Sequence, residues 1–454
     1  QQAIVCDKEK ILCVAGAGSG KTTVLTKRIE FLCRFRSVEP RKVLAITFTK
    51  KARREMQERL SKAEGCAGVE VQTFNSFCEK IIRQHRDLIE ISHYTMLQYR
   101  DKVALVKEAL QTIGMSFSRV ANYYFTPGQR RMKPDDLLLL TFVNDCFHVI
   151  DHYKLEEKEL DQFYTRVSDK KHQLSAKLLH QVCVLVKKGM ERRRLRDYSD
   201  QLSSVVDLFS RCRGVVPEYD HILVDEYQDV NQIQIRLLEL LEGKNQFVVG
   251  DPRQGIFGWR GSKLSYIVEF QKRYADAAVI ALTKNYRSAP GIVALANKVM
   301  RKMGIRDQEA GRDAGEFGAK RMELLHFSSG DQEMQFVLRE IRGSAFARNE
   351  IFILARTNKQ LKRMADLLRV AKIPCVLTDD DRQAQVREGF VTLATVHGIK
   401  GLEAEQVFVI GCSSLYFPCR VSDHPVIEAL ELQKYDKEEE ERRLLYVALT
   451  RAKQ

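Results

Sequence analysis

Apolar residues fall in short unbroken runs separated by stretches of amphipathic, helix-like spacing, and this alternation carries the first reading of the fold. Ile11-Leu12-Cys13-Val14-Ala15, Val43-Leu44-Ala45-Ile46-Thr47 and Val69-Glu70-Val71 have the length and β-rich character of strands, and helix-like segments follow the first two at 21–34 and 50–63. Strands that read as nearly continuous apolar runs are covered on both faces, so strands alternating with helices predict a parallel α/β sheet. From about residue 89 to 207 the pattern changes to long helical stretches. Strands return at His221–Val224, Gln246–Val249 and Ala278–Ala281. The simplest architecture is one α/β domain, built from 1–88 and 208–281, interrupted by a helical insertion at 89–207.

A second α/β series begins near residue 282 and forms a domain over 282–454. Its expected strands are Glu323–Leu325, Ile351–Leu354, Pro374–Leu377, Val391–Ala394 and Gln406–Ile410. Residues 304–320, rich in glycine and charge, read as an exposed loop, and Asp379-Asp380-Asp381 as a turn or loop. The acidic run Glu438–Glu441 by itself reads as a solvated helix face. No internal repeat or low-complexity tract interrupts the series.

Composition narrows the class without choosing a function. The 454 residues suffice for two to four domains of about 100–200 residues each, and 44% hydrophobic with 30% charged residues is ordinary for a soluble globular chain. No apolar run approaches the ~18–20 residues that span a bilayer, so no membrane role is expected. The opening Gln1-Gln2-Ala3-Ile4-Val5 has no charged n-region of a secretory signal. The 11 cysteines are odd in number and form no C-x-x-C pair. Cys6 with Cys13 and Cys412 with Cys419 come nearest to metal-ligand spacing, but no histidine cluster completes either, so reduced thiols in an intracellular protein are expected. Lysine and arginine number 74 against 60 acidic residues, a net +14 that favours an anionic partner such as nucleic acid.

The strongest chemical signal is Ala15-Gly16-Ala17-Gly18-Ser19-Gly20-Lys21-Thr22-Thr23, placed after a predicted strand and before a predicted helix. That is the context of a P-loop: small residues let backbone N–H groups close around phosphate oxygens, and the helix N-terminus adds favourable partial charge. Lys21 is expected to reach the β- and γ-phosphates, and the Thr22 hydroxyl to ligate Mg²⁺. The usual first glycine is Ala15 here. A second element, Ile222-Leu223-Val224-Asp225-Glu226-Tyr227-Gln228-Asp229, ends a strand in two adjacent carboxylates. Asp225 suits a metal-holding role, and Glu226 the orientation and deprotonation of an attacking water. Together the two elements point to NTP hydrolysis.

With these motifs in place the chain resembles superfamily 1 helicases of the UvrD/Rep/PcrA type. Gln1 or Gln2 falls where that family has the adenine-reading glutamine of its Q motif, and Ala15–Thr23 looks like motif I. Ala45–Ala52 looks like motif Ia, and Thr73-Phe74-Asn75-Ser76-Phe77 is similar to the next DNA-contacting motif. Asp225–Asp229 matches motif II; Val249–Gln254 with Trp259-Arg260-Gly261 matches motif III. Asn285-Tyr286-Arg287-Ser288 looks like motif IV, and Arg356-Thr357-Asn358 like the element after it. Thr395–Glu403 resembles motif V, and Glu441–Ala452 motif VI.

The resemblance implies two RecA-like P-loop motor domains with parallel sheets and a helical insertion in the first. It implies ATP and Mg²⁺ as cofactors, and single-stranded DNA and single-strand/duplex junctions as partners, with repair or replication proteins possible beside them. It also implies 3′-to-5′ movement in DNA repair, replication or recombination, within the cytoplasm, nucleoid or nucleus. By the same resemblance Arg287 and Arg451 enter the ATP site from the second domain, Gln254 senses the γ-phosphate and Glu403 helps bind nucleotide. Arginine suits that task because it offers positive charge to phosphoryl oxygens without deprotonating. Thr47, Phe48, Thr49, Thr73, Asn75, Phe257, Trp259, Arg260, Arg356 and His397 are the implied DNA contacts. Trp259 is the only tryptophan, and Gly258 before it with Arg260-Gly261 after it do not fit a core strand.

Four departures matter. Asn75 stands where relatives often have histidine, Ile399 where they often have a small polar residue, and Phe257 where they often have tyrosine. The largest is an absence: the 36 residues 359–394, between Asn358 and Thr395, leave no room for the helical insertion that relatives carry in the second domain. Translocation is therefore a firmer expectation than processive unwinding. RNA remains the rival track, because stacking and backbone contacts tolerate either sugar. The charge excess also has a place: residues 21–60 hold 12 Lys/Arg and 4 Asp/Glu, so +8 lies between the P-loop lysine and the helix after motif Ia.

Overall fold

Strands Val43–Thr47, Ile351–Ala355 and Val391–Thr395 are buried at every position, as parallel strands covered on both faces must be. The computed structural model describes all residues except 168, 304–306, 312–321, 379–384, 419–425, 428–435 and 454. Its larger sheet has six strands in the spatial order Glu70–Thr73, Val43–Thr47, His221–Val224, Asn245–Gly250, Lys10–Ala15 and Ala278–Leu282. Every pairing is parallel. Alternate side chains serve the two faces. Leu12, Leu44, Ile46, Ile222, Val224 and Val248 pack with Phe77, Ile81, Val205, Phe209 and Leu237 on one side. Ile11, Cys13, Val43, Ala45, Leu223 and Phe247 pack with Leu25, Ile29, Met56 and Leu60 on the other.

Between the third and fourth strands of the chain lies a mostly helical region with its own core, in which Val106, Phe142, Val143, Phe147, Val182 and Val186 are fully or nearly fully buried. The helix Tyr198–Arg211 already turns its apolar face to the large sheet. The second sheet is four-stranded and parallel, in the order Cys375–Leu377, Val391–Thr395, Ile351–Ala355, Gln406–Val409. Both sheets are thus those of a mixed α/β protein of RecA-like architecture.

Two sequence expectations are corrected. Residues 323–325 form no strand, and Leu324 is 95% exposed. The two leucines are flanked by Glu323 and His326 and both are exposed, so the run lacks the burial on both faces that the parallel strands have. The supposed loop 304–320 is not wholly exposed: Glu309–Ala310 pairs in parallel with Lys284–Asn285, and Gln308 is buried. The remainder of that stretch, like Asp379-Asp380-Asp381 and Cys419, lies outside the described residues.

Candidate nucleotide and nucleic-acid site

The phosphate loop leaves the C-terminal end of Lys10–Ala15, a strand flanked on both sides within the sheet, which is where open α/β sheets place ligands. Gly18 and Gly20 have positive φ (68° and 86°), which lets the chain close tightly before the helix Lys21–Phe35. The turn is tied by Ser19, whose N–H and hydroxyl both donate to the Gly16 carbonyl, at 3.3 and 2.8 Å. Lys21 and Thr22 therefore occupy the first turn of a fifteen-residue helix whose leading N–H groups face the loop. Gln1 and Gln2 are exposed at the start of the chain, and the short helix Gln2–Val5 rests on the phosphate-loop helix through Ala3 and an Arg28 bond to the Ile4 carbonyl.

Asp225 follows the strand His221–Val224 on the same edge of the sheet. It is buried, and burial followed by the charge of Glu226 pushes its carboxyl up to about 7. Glu226 sits in the left-handed region (φ 47°), a conformation that costs a non-glycine residue energy and is concentrated at functional sites. Burial alone would raise Glu226, but Lys21, Lys400, a Gln228 hydrogen bond (2.5 Å) and Arg451 together hold it below its ordinary value. Two adjacent carboxylates are thus driven apart in acidity, one poised near neutral and one firmly ionised.

The second sheet's domain supplies the cations opposite. Arg451 is 1% exposed and donates to the carbonyls of Val447 and Leu402, to Thr450 Oγ1 and to Gln254 Oε1. No carboxylate is among those hydrogen-bond acceptors. Burial, then the like charge of Arg287, lowers its pKa to about 9, so the site favours an anion beside it. Arg287 lies 2.5 Å from Glu403 Oε2, and Glu403 also meets Lys453 at 3.8 Å. Gln254 donates to Asp251 Oδ2 at 2.8 Å while accepting from Arg451, so it bridges the two domains.

The proposed nucleic-acid contacts split into buried and accessible groups. Thr47 is fully buried and its hydroxyl donates to the Thr49 carbonyl. Thr49 and Thr73 cap the helices Lys50–Ser61 and Phe74–Gln84, accepting from the N–H groups of Ala52 and Ser76. Phe48 packs edge-on to Phe74 at 5.5 Å, and Asn75 is partly exposed in the first turn of the second helix. Two capped helix N-termini thus stand side by side on one sheet edge, a geometry suited to phosphates. Trp259 is 44% exposed, with the Arg260 guanidinium 4.5 Å from its ring centroid and His397 edge-on at 6.1 Å. Phe257 lies beneath, 6.3 Å from His397 and 5.2 Å from Arg260. Burial and then the charges of Arg356, Arg260 and Lys400 push His397 down to about 3, so it is neutral across the physiological range. Arg356 makes a forked bond to Glu441, with Nε and Nη2 at 3.0 and 2.7 Å from Oε1.

Several residues that join the domains went unrecognised as such in the sequence. Lys400 bonds Asp229 Oδ2 (2.5 Å) and the Gln254 carbonyl (2.6 Å). Arg443 donates to the Gly255 carbonyl at 2.7 Å, and Tyr446 to Asp251 Oδ2 at 3.2 Å. Arg253, paired with Asp251 at 2.9 Å, lies 5.3 Å from the centroid of the Tyr446 ring. All lie inside the quoted motifs II, III, V and VI, where polar residues among apolar ones were the available signal. Gln308 lies outside every motif, and nothing in the sequence marks it.

Residues 1–275 match the UvrD/REP helicase N-terminal domain family, and residues 280–383 and 377–454 match the UvrD-like helicase C-terminal domain family. The chain is similar to the ATP-dependent DNA helicase PcrA of Staphylococcus aureus (strain Mu50), 32% identical over 391 residues covering 82% of this chain and 49% of that protein. It is 31% identical over 392 residues, with the same coverage of each, to the ATP-dependent DNA helicase PcrA of Staphylococcus epidermidis (strain ATCC 12228). The chain spans about half the length of the curated relatives it matches. With both family domains matched in succession over nearly the whole sequence, the chain belongs to the UvrD-like helicase family.

Proposed function

We propose that the chain is an ATP-dependent DNA helicase or translocase that couples ATP hydrolysis to 3′-to-5′ movement on single-stranded DNA, in DNA repair, replication or recombination. The observation that carries this reading is the meeting of Lys21, Asp225 and Glu226 from one sheet with Arg451, Arg287 and Lys400 from the other, across a cleft bridged by Gln254. In this reading residues 1–88 and 208–281 form the first motor domain, 89–207 its insertion and 282–454 the second motor domain.

Lys21 and the loop amides hold the phosphates, and Glu226, kept ionised, orients the attacking water and takes its proton. Arg287 and Arg451 bring positive charge to the transferring phosphoryl group only while the domains are together, so hydrolysis is tied to closure and product release to opening. Thr22 and Asp225 would hold Mg²⁺. The fit rests on Asp225, a buried carboxyl raised to about 7 beside a second carboxylate, which a divalent cation would return to its charged form. When bound, the ion would supply positive charge against the negative charge that develops on the phosphates.

The relatives' printed name supports DNA as the track, and the half-exposed Trp259 beside Arg260 supplies a stacking face beside a phosphate-attracting charge. Single-strand/duplex junctions are the substrates proposed, with repair or replication proteins as further partners and the nucleoid or nucleus as the compartment. Among the described residues no helix is long and apolar enough to cross a membrane. Translocation on single-stranded DNA or RNA without processive unwinding is a second reading. It is favoured by the short interval 359–394, whose described part holds the helix Asn358–Val370, the strand Cys375–Leu377 and the start of the strand Val391–Thr395. Strand displacement on 3′-tailed, 5′-tailed and blunt duplexes with ATP separates the two. Displacement only from the 3′-tailed substrate is expected for the first reading, and ATP turnover without displacement from any substrate for the second.

A further inference from the structure

Two successive carbonyls of the phosphate loop are held from the second sheet's side of the cleft. The Tyr286 N–H donates to the Gly18 carbonyl at 2.9 Å, and the Gln308 side-chain amide donates to the Ala17 carbonyl at 3.0 Å. The first contact belongs to a motif; the second does not. Both come from one local device. Lys284–Asn285 and Glu309–Ala310 form a two-residue parallel ladder, extended by Glu309 N–H to the Thr283 carbonyl (2.8 Å) and Gly311 N–H to the Asn285 carbonyl (2.7 Å). This register places Gln308 beside Ala17 while Tyr286 lies beside Gly18.

Gln308 is held on every side. Its backbone is clamped by Asn297, whose Oδ1 accepts from the Gln308 N–H at 3.1 Å and whose Nδ2 donates to the Gln308 carbonyl at 2.7 Å. Its own Oε1 lies 3.0 Å from the Tyr446 hydroxyl, whose single proton is shared between Oε1 and Asp251 Oδ2 at 3.2 Å. The residue is 6% exposed. The fit against the loop is close: a Cβ added at Gly16 would collide with Gln308 Nε2 and with Arg253 Nη2. An amide buried and clamped in this way is oriented, because each of its polar atoms has a single good partner.

A peptide unit is planar and trans, so its carbonyl and N–H point in opposite directions. Fixing the Ala17 carbonyl therefore fixes the direction of the Gly18 N–H, one of the donors a phosphate loop presents to its ligand. We propose that Gln308 is a positioning residue of the phosphate loop, orienting the Ala17–Gly18 peptide for a nucleoside triphosphate and tying that orientation to Tyr446 on the helix Lys437–Leu449. It rests on the reading of residues 15–23 as a nucleotide site. Separation of the two sheets breaks the Gln308–Ala17 bond, so the loop is fully oriented only when the domains are together.

The test is Gln308→Met, which keeps the volume and removes both side-chain hydrogen bonds, read by binding of a fluorescent ATP analogue and by steady-state hydrolysis. One neutral hydrogen bond is worth roughly a factor of 2–10 in affinity, so a loss of about three- to tenfold in analogue affinity and a matching rise in KM are expected, with kcat at saturating ATP kept within about twofold. Asn297→Ala leaves the amide present and releases its backbone; a smaller loss of the same sign is expected, and this variant carries the test where Gln308→Met does not fold. Analogue affinity and KM at the wild-type value in the folded variants overturn the role of Gln308, and so does a fall in kcat without a change in KM. Lys21→Ala in the same assay separates this from the underlying reading. Binding lost in Lys21→Ala but kept in Gln308→Met removes only the positioning role, whereas binding kept in Lys21→Ala removes the nucleotide site itself.

Discussion

Lys400 Nζ lies 2.5 Å from Asp229 Oδ2, both groups buried, and joins the carboxylate end of one sheet's Asp225–Asp229 segment to the other sheet's domain. The same ammonium donates to the Gln254 carbonyl. Burial pushes Asp229 up to about 6 even with this partner, so the carboxylate depends on the cation for its charge. Removing one member of a buried pair costs about 3–5 kcal/mol, because the other is left desolvated and uncompensated. Lys400→Met is expected to lower the melting temperature clearly and to cut ATP hydrolysis at least tenfold. Lys400→Met with Asp229→Asn should recover most of the stability and none of the hydrolysis. A single variant as stable as the wild type would show that the pair does not hold the domains together.

Trp259→Ala removes an exposed ring held between Arg260 and His397. Base–aromatic stacking is worth about 1–3 kcal/mol, so affinity for single-stranded DNA should fall roughly 5- to 150-fold, with binding of an ATP analogue unchanged. Trp259→Phe should recover part of the loss. Equal DNA affinity in Trp259→Ala and wild type, measured by fluorescence anisotropy, would remove the ring from the track.

Glu226→Gln keeps the shape of the side chain and removes its basicity. A positioned general base contributes about 10²–10⁴ in rate, so hydrolysis should fall by at least about 100-fold while ATP still binds. Turnover within a few-fold of wild type would place the base elsewhere.

A pH-dependent contribution to stability sits in the helical insertion. Asp151 is pushed up to about 6 by burial and then by the charge of Asp197; Lys154, a Ser199 hydrogen bond at 2.8 Å and Lys102 act against the rise. Lys154 itself pairs with Asp197 and Asp200 at 2.7 and 2.6 Å. The folded pKa lies above the ordinary 3.8, so the folded state holds its proton more tightly, and this favours folding below about pH 4. That contribution is lost as pH rises through about 6, where the folded chain must carry a buried charge. Asp151→Asn should therefore stabilise at pH 8, by about 1–3 kcal/mol, and give no gain at pH 4. Equal melting-temperature changes at the two pH values would contradict this.

The sheets were legible because parallel strands buried on both faces leave continuous apolar runs, as at Val43–Thr47 and Ile351–Ala355. The same rule misled at 323–325, where two leucines have no neighbouring strand. The phosphate loop and the Asp225-Glu226 pair were legible because each is contiguous in sequence. Partnerships across the cleft were not: Lys400 with Asp229 and Gln308 with Ala17 are separated by 171 and 291 residues, and no local pattern encodes such distances. The two-residue ladder that aims Gln308 is too short to leave a periodic trace.

The most direct measurement is ATP hydrolysis by the purified chain with and without single-stranded DNA, in the wild type and in Lys21→Ala. Hydrolysis that rises many-fold with DNA and disappears in Lys21→Ala is the expected result. Equal hydrolysis with and without DNA would contradict the coupling of the two sites.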